Sequence, residues 1–321
     1  MKTRICGTGS LLPAKIVTND DLSKIMDTSD EWIRSRTGIE ARHLATEETL
    51  TDLCKSACEQ ALEESQIPAS EIDLIIAATL TPDRLLPALA CELQRELGAD
   101  KAVAFDLNAA CSGFLFALSA ADAYIKSGMY KNALIVGGEI LSKIMDWTDR
   151  STCVLFGDGA GAAVLKADET AGIMGISQGS DGAKGEALVC NNRKNNNPYV
   201  QNSMDLEYVA MNGQEVYKFV VRTVPPAILE AIERSDLTIG DIDLFIVHQA
   251  NMRIIEAVAK RLEVPMEKFP TNLQQCGNIS AGSVPILLDE VCKKGMIKKG
   301  DKIVLAGFGA GLTWGAVVLT W

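Results

Sequence analysis

Histidine is scarce in this chain: only His43 and His248 occur in 321 residues. Two imidazoles leave few choices of general base and make a poor ligand set for zinc, which draws on histidine and cysteine. No apolar run approaches the roughly 20 residues that a membrane-spanning helix needs. The opening residues, Met1 to Gly9, hold no stretch suited to a signal peptide. The expectation is a cytoplasmic protein with no membrane partner. Positive charge is also short, because 31 Lys and Arg face 42 Asp and Glu and leave a net charge of -11. Such a field repels a phosphate backbone, so nucleic acid is excluded as an expected partner. An anionic ligand has to be met by a local cluster of basic side chains.

Nine cysteines are present, an odd number scattered through apolar contexts. That pattern fits reduced, buried thiols better than a disulfide framework. Cys54 and Cys58 stand four apart on an expected helix, but only two histidines exist and no other cysteine pair sits nearby, so no metal site is expected. With 47% apolar and 23% charged residues the chain can bury a large core. Its length suits two domains of ordinary size.

An internal repeat organises the chain. Shifted by 170, residues 61–76 fall on residues 231–246 with seven of sixteen pairs identical. The same shift carries residues 131–137 onto 301–307 and Asn108 onto Asn278. Three matches at one offset argue for two copies of one αβ unit, taken as residues 1–170 and 171–321. In each copy an amphipathic helix leads through a short loop into a buried strand, at residues 74–78 and 244–247. Buried strands alternating with helices predict sheets covered on both faces. Between the copies, residues 179–205 are rich in Gly and Asn and read as a surface excursion.

Three side chains stand out as chemistry. Cys111 is followed by a helical pattern over residues 112–127. It therefore sits at a helix N-terminus, where the end dipole favours thiolate, and Ala109, Ala110, Ser112 and Gly113 leave space around it. Taken alone it reads more readily as a core cysteine, since free cysteine is among the most buried residue types. His248 follows the apolar strand directly, the position where α/β proteins place ligand-binding side chains. His43, among Arg36, Glu40 and Arg42, reads as surface. Asn278 lies in the loop that the repeat superposes on the Cys111 loop, so a pseudo-two-fold axis would bring it toward Cys111. It can also cap the following helix. The glycine-rich segment 307–315 fails as a dinucleotide fingerprint, since its third glycine is misplaced and another strand follows instead of a helix. It reads better as part of an oxyanion hole, with one N–H from here and one from Cys111.

Five motifs together give the chain its resemblance: residues 108–114 (Asn-Ala-Ala-Cys-Ser-Gly-Phe), 156–163 (Phe-Gly-Asp-Gly-Ala-Gly-Ala-Ala), 247–251 (Val-His-Gln-Ala-Asn), 277–283 (Gly-Asn-Ile-Ser-Ala-Gly-Ser) and the glycine-rich terminus. Across essentially its whole length the chain resembles the ketoacyl-acyl carrier protein synthase III family of the thiolase-like superfamily. The resemblance implies a duplicated five-layer αβαβα sandwich, a homodimer, and Cys111, His248 and Asn278 as catalytic triad. It implies decarboxylative condensation of an acyl-CoA primer with malonyl-acyl carrier protein, with no cofactor. Coenzyme A contacts carry over to Trp32, Arg36, Arg150, Tyr217, Ala250, Asn251 and Arg253, with Trp32 and Arg150 on opposite faces of the adenine. The second oxyanion donor falls on Ala310, where the family commonly has glycine. Leu86, reached across the dimer, and Phe308 fall at the primer pocket. Acyl carrier protein is acidic, so its dock is expected on the basic helix 251–262, at Arg253, Lys260 and Arg261. A condensing enzyme of secondary metabolism shares all these features. A cysteine hydrolase shares only the order Cys, His, Asn, and lacks both its own local signature and a place for the duplication.

Overall fold

The computed structural model describes every residue except Met204 and Leu206. One sheet collects β1 (Lys2–Leu11), β2 (Leu74–Ala78), β3 (Val103–Leu107), β4 (Asn132–Ile140) and β5 (Asp158–Asp168), in the order β1-β5-β4-β2-β3. In it β2 runs parallel to β3 and β4, and the other pairs are antiparallel. A second sheet collects β6 (Gly172–Ser180), β7 (Leu244–Val247), β8 (Lys302–Gly309) and β9 (Thr313–Thr320), in the order β7-β8-β9-β6. There β7 and β8 are parallel and the other pairs antiparallel. The chain thus leaves the first sheet at Asp168 and enters the second at Gly172.

The offset of 170 carries β2 onto β7 and β4 onto β8, so the two sheets repeat one topology. They differ at one edge. The segment equivalent to β3 forms a helical turn, Leu273–Cys276, and the second sheet stops at four strands. Gln249 holds that turn in place, accepting from the backbone N–H groups of Asn272 and Leu273 and donating to the carbonyl of Val247.

Helices complete the layers. α1 (Asp30–Thr37) stands near the rim of the site described below, α2 (Leu50–Ser65) and α3 (Leu89–Leu97) cover the outer face of the first sheet, and α4 (Gly113–Lys126) lies between the sheets. α5 (Gly213–Glu233) and α6 (Met252–Leu262) cover the outer side of the second sheet, and α7 (Ser283–Lys293) is the second central helix. Three large apolar clusters fill the gaps between the layers. The stack is αβαβα, as the resemblance implies.

Local chemistry explains the elements. α2 starts at a capping box in which Thr49 and Asp52 satisfy each other's backbone N–H groups. It buries Leu50, Leu53, Cys54, Ala57, Cys58 and Ala61, one helical stripe. The small residues on this stripe let β1 come close: a side chain on Gly7 or Gly9 would meet the carbonyl of Ala61 or Ala57. Cys54 and Cys58 are members of this core.

Two sequence boundaries shift. The helix after Cys111 begins at Gly113, because residues Ala110–Ser112 form a tighter 3-10 turn first. The surface excursion begins after Ser180, because β6 pairs with β9 through that residue. From there the chain makes a short ribbon, Leu188–Val189 with Ala210–Met211, and residues 190–203 are exposed. Met204, within the excursion read from sequence, lies outside the described residues.

The two copies meet at very short range where β4 passes the loop before α7. A Cβ on Gly137 would lie 2.2 Å from the carbonyl oxygen of Ala281. Gly137→Ala should therefore destabilise the protein by roughly 1–3 kcal/mol, the scale of an overpacked core, seen as a lower urea midpoint. Gly182→Ala, where nothing lies within 4 Å, should leave the midpoint unchanged.

Candidate active site

Cys111 occupies the 3-10 turn that links β3 to α4. Just before Cys111 the backbone is bent by an Asx contact: the N–H of Ala110 donates to Oδ1 of Asn108 at 3.0 Å, and Ala110 takes φ 46°. The second copy repeats this geometry. The N–H of Ser280 donates to Oδ1 of Asn278 at 2.9 Å, and Ser280 also takes φ 46°. A non-glycine residue in that region costs of order 1 kcal/mol. Both copies accept it because the turn delivers the next residue, Cys111 in one and Ala281 in the other, to the join between the halves.

The Asx contact also orients Asn278. A backbone N–H can only donate, so the atom it meets is the carbonyl oxygen, and the side-chain NH2 is left as the free donor. The backbone of Asn278 is fixed by its N–H to Leu155 and by its carbonyl accepting from Gly157. His248 ends β7, its N–H bonded to the carbonyl of Ala306 at 2.8 Å, and its ring packs edge-on against Phe308 with centroids 5.1 Å apart. The ring is 1% exposed, and burial lowers its pKa to about 3. His248 is therefore a neutral imidazole, with Nδ1 buried and unpartnered among the described residues.

Cys111, His248 and Asn278 line one cavity of about 240 Å³ together with Phe156, Phe308 and Gly309. Gly309 has to be glycine, since a Cβ there would stand 2.7 Å from the Cys111 nitrogen and 3.0 Å from its Cβ. Ala310, the residue matched to the oxyanion donor, follows it in the chain. Beyond Cys111 lies a smaller apolar chamber of about 60 Å³, walled by Leu80, Leu141, Ile144, Leu188 and Val209 and touched by Cys111 and Ala310. Cys111 thus separates an entry cavity from an apolar chamber. Phe308 stands on the entry side, beside His248, and is absent from the chamber wall where the resemblance placed it. Its ring packs on the imidazole, which holds it there.

The thiol itself departs from the sequence reading. A helix end favours thiolate, but Cys111 is buried, with 8% of its surface exposed. Burial pushes its pKa up to about 12, against a smaller lowering by a hydrogen bond with the Ser280 side chain. The negative charge of Glu139 raises it further.

The entry cavity reaches the surface past Arg36, Tyr217, Ala250, Asn251 and Arg253. Asn251 donates to the carbonyl of Arg36 at 3.1 Å and Arg253 to that of Ser35 at 2.7 Å, so α6 is tied to α1 at the rim. Trp32 is flanked by two guanidiniums, with Arg36 4.6 Å and Arg150 4.9 Å from the ring centroid. A stacked purine needs about 7 Å between its neighbours, twice the ~3.5 Å contact distance of stacked carbons. The Trp32–Arg150 slot is therefore closed here, and Arg150 is held by Asp27.

The remaining sequence candidates lie apart. Arg253, Lys260 and Arg261 are exposed on α6, with Glu256 between them on the same helix. Leu86 is 85% exposed and lines none of the cavities around Cys111. Its neighbour Leu85 borders a cavity of about 380 Å³ that adjoins the apolar chamber through Leu80, Ile144 and Ala310. His43 is half-buried, with Nδ1 2.6 Å from the carbonyl of Pro13. Arg42 beside it is fully buried, its guanidinium bonded to the carbonyls of Val17 and Val154.

Glu139 and Ser280 were not singled out from the sequence. A signal existed for each: Glu139 is a lone charge inside the apolar run 133–141, and Ser280 is the repeat mate of Ala110.

Known proteins resemble the whole chain. Residues 105–182 match the family model for 3-oxoacyl-[acyl-carrier-protein (ACP)] synthase III, and residues 232–321 match that for its C terminal part. A beta-ketoacyl-[acyl-carrier-protein] synthase III of Clostridium acetobutylicum is 51% identical over 318 residues, spanning 99% of this chain and 98% of that protein. The crystal structure of 3-oxoacyl-[acyl-carrier-protein] synthase III from Aquifex aeolicus VF5 superposes with TM-score 0.93 at 45% identity, covering 99% of this chain and 100% of that one. The priming beta-ketosynthase of the R1128 polyketide biosynthetic pathway superposes with TM-score 0.94 at 37% identity, covering 99% and 96%.

The state of the thiol can be measured. Alkylation proceeds through thiolate, and the pKa of Cys111 is raised above its ordinary 9.0. Iodoacetamide labelling of the Cys111 peptide, followed by mass spectrometry, should keep accelerating with pH through 9. A plateau reached below pH 9 would mean that the helix end outweighs burial.

Proposed function

The chain belongs to the beta-ketoacyl-[acyl-carrier-protein] synthase III family, thiolase-like condensing acyltransferases of fatty acid biosynthesis, and from that premise we propose how its own residues perform the condensation. The observation that carries the reading is the convergence of Cys111, His248 and Asn278 on one cavity from elements far apart in sequence.

An acyl-CoA enters past Arg36 and Arg253, and its thioester carbonyl is attacked by the sulfur of Cys111. Coenzyme A leaves and an acyl thioester remains on the protein. The acyl chain lies in the apolar chamber, and the carbonyl oxygen faces the N–H groups of Cys111 and Ala310. Malonyl-acyl carrier protein then fills the entry cavity. As carbon dioxide departs, charge develops on the malonyl thioester oxygen, where the free amide of Asn278 and a ring N–H of neutral His248 meet it. Aimed donors in such a site contribute a few kcal/mol each. The enolate attacks the acyl carbonyl, and the Cys111 sulfur leaves. Thiol, donors and substrates complete this chemistry without a metal or redox cofactor.

The carrier protein docks against the exposed basic residues of α6, Arg253, Lys260 and Arg261. Trp32 and Arg150 take the adenine between them once Arg150 moves off the ring. The protein works as a homodimer: β3 is an edge strand with Val103 49% exposed, and Leu85 and Leu86 project beside it. Leu86 then closes the chamber of the partner. No helix among the described residues is long and apolar enough to cross a membrane, and nine unpaired cysteines suit a reducing cytoplasm. The likeness to a polyketide priming enzyme supports a second reading, the same chemistry in secondary metabolism, although the identity of 37% is lower than to the fatty acid relatives.

The three residues act in different half-reactions. Cys111→Ala should abolish labelling by radioactive acyl-CoA but leave malonyl decarboxylation. His248→Ala and Asn278→Ala should keep the label and lose decarboxylation by roughly a hundredfold. A cysteine hydrolase would need His248 as the base for Cys111, so loss of label in His248→Ala with circular dichroism unchanged would sink this assignment.

Primer length follows from the walls. Leucine at position 86 leaves more room than an aromatic ring. Four- to six-carbon acyl-CoAs should compete with acetyl-CoA, and Leu86→Phe should shift the preference toward acetyl. Exclusive use of acetyl-CoA by the unaltered protein would show that other walls close the chamber.

A further inference from the structure

Arg42 is 0% exposed, and no step above uses it. It lies on the short strand Ala41–Leu44, which pairs with Lys15–Thr18. Its guanidinium donates from Nη1 to the carbonyl of Val17 at 3.1 Å and from Nη2 to the carbonyl of Val154 at 2.8 Å. Among the described residues it makes no ion pair, and its Nε has no partner. Burial lowers its pKa to about 10, which leaves it charged at neutral pH. Burying an unpaired cation is costly, and an apolar side chain of similar size would fill the space without that cost. Such a side chain could not meet two carbonyls from two separate segments, which the planar fork of a guanidinium does. In its place the buried carbonyl of Val154 would lose its donor.

The segment that Arg42 fastens is the one that holds Asn278. The carbonyl of Leu155 accepts from the N–H of Asn278 at 2.9 Å, and the N–H of Gly157 donates to the carbonyl of Asn278 at 3.0 Å. Phe156 between them forms a parallel bridge with Asn278. The stem of Arg42 lies against the same backbone: a Cβ on Gly157 would stand 3.3 Å, and one on Gly277 3.4 Å, from the Arg42 Cβ. Two residues before Arg42, the N–H of Glu40 donates to the carbonyl of Gln274 at 2.8 Å, in the turn that leads to Asn278. Residues 40–42, 154–157 and 274–278 thus form one block with the arginine inside it. The side-chain oxygen of Asn278 is already taken by the N–H of Ser280, so this backbone block sets where the free amide points.

We infer that Arg42 is a positioning residue for Asn278, one that keeps its amide aimed at the malonyl thioester oxygen by fastening the segment 154–157. Arg42 lines neither the entry cavity nor the apolar chamber, so it acts on substrate only through what it holds. Its influence falls on decarboxylation more than on acyl transfer, because the turn of Cys111 is bent by Asn108 instead. The fork is what matters, since both of its bonds go to neutral carbonyls and each fixes a different segment.

The inference rests on the reading of Asn278 as a donor to the malonyl thioester, and the two can fail separately. The test measures malonyl-carrier protein decarboxylation, and labelling of Cys111 by radioactive acyl-CoA, in Arg42→Met and Arg42→Lys, each also combined with Asn278→Ala. Methionine fills much of the space but donates to neither carbonyl. The decarboxylation kcat of Arg42→Met should fall roughly ten- to a hundredfold, the scale of a group displaced by about 1 Å. The KM for malonyl-carrier protein should be unchanged. Lysine keeps the charge and can reach one carbonyl, so Arg42→Lys should recover part of the loss. Labelling of Cys111 should stay within about threefold in both variants. In the Asn278→Ala background neither substitution should lower decarboxylation further, because nothing is left for the arginine to position. Unchanged decarboxylation in either folded variant would overturn the inference. So would an equal loss of both half-reactions, or a further loss on top of Asn278→Ala, which a merely structural role predicts. Should Arg42→Met fail to fold by circular dichroism, Arg42→Lys carries the same test. If Asn278→Ala alone decarboxylates normally, it is the reading of Asn278 as a donor that has failed.

Discussion

The site depends on how closely two copies of one αβ unit press together. At the join, bulk is removed on both sides: Gly113 faces Ala78 and Ala281, Gly137 faces the Ala281 carbonyl, and Gly161 faces the backbone nitrogen of Ile286. With a Cβ at Gly137 or Gly161 the contact would fall below 3.0 Å, and at Gly113 it would just reach that distance. The central helices α4 and α7 therefore lie against each other's sheets as well as their own. The meeting of Cys111, His248 and Asn278 on one cavity follows from that approach. A looser join would admit water, which would relieve the burial that keeps His248 neutral and Cys111 protonated.

Duplication supplied one geometry and substitution divided the work. The same Asx-bent turn occurs twice, with the same dihedral angle, and it presents a thiol in one copy and a methyl group in the other. The asparagine that bends the turn faces the cavity only in the second copy, where its spare amide becomes a donor. The residue at the strained position is alanine in the copy that carries the thiol and serine in the copy that does not. That serine reaches back across the join to Glu139 of the first half. Each half thus completes the site of the other, and neither contains a working set alone.

Much of this was legible in the sequence, because the repeat is written at a constant offset. Residues 61–76 and 231–246 align without gaps, and that alignment alone foretold paired layers and facing loops. Cys111, His248 and Asn278 were legible from their positions at strand and helix ends, together with motifs shared with a family. The charge state of the thiol was not. Helix-end polarity can be read locally, whereas burial depends on both halves, and burial prevails. The chamber walls Leu188 and Val209 were hidden for a different reason. They flank the Asn-rich excursion, Leu188 in the ribbon strand before it and Val209 just ahead of the returning strand, and no local pattern says that such a segment folds back over the site. The contact of Phe308 with His248 was not legible either, because a sequence shows a residue's neighbours along the chain, and the imidazole that meets its ring lies sixty residues earlier.

The unequal sheets carry a consequence for assembly. A duplicated protein with two open sheet edges could pair edge to edge in head-to-tail fashion and grow without limit. Here the ends β1 and β6 abut each other, with Gly172 against the backbone of Thr3. At the opposite end of the second sheet the helical turn Leu273–Cys276, fastened by Gln249, stands where a further strand would be. Of the two large sheets, the first keeps an open edge among the described residues, on β3. An open ladder of this kind can pair with the same ladder of another copy, and a contact of that type closes at two. By turning one strand into a helix, the second copy gives up the edge that would match β3, so the two halves differ in what they offer to strand pairing.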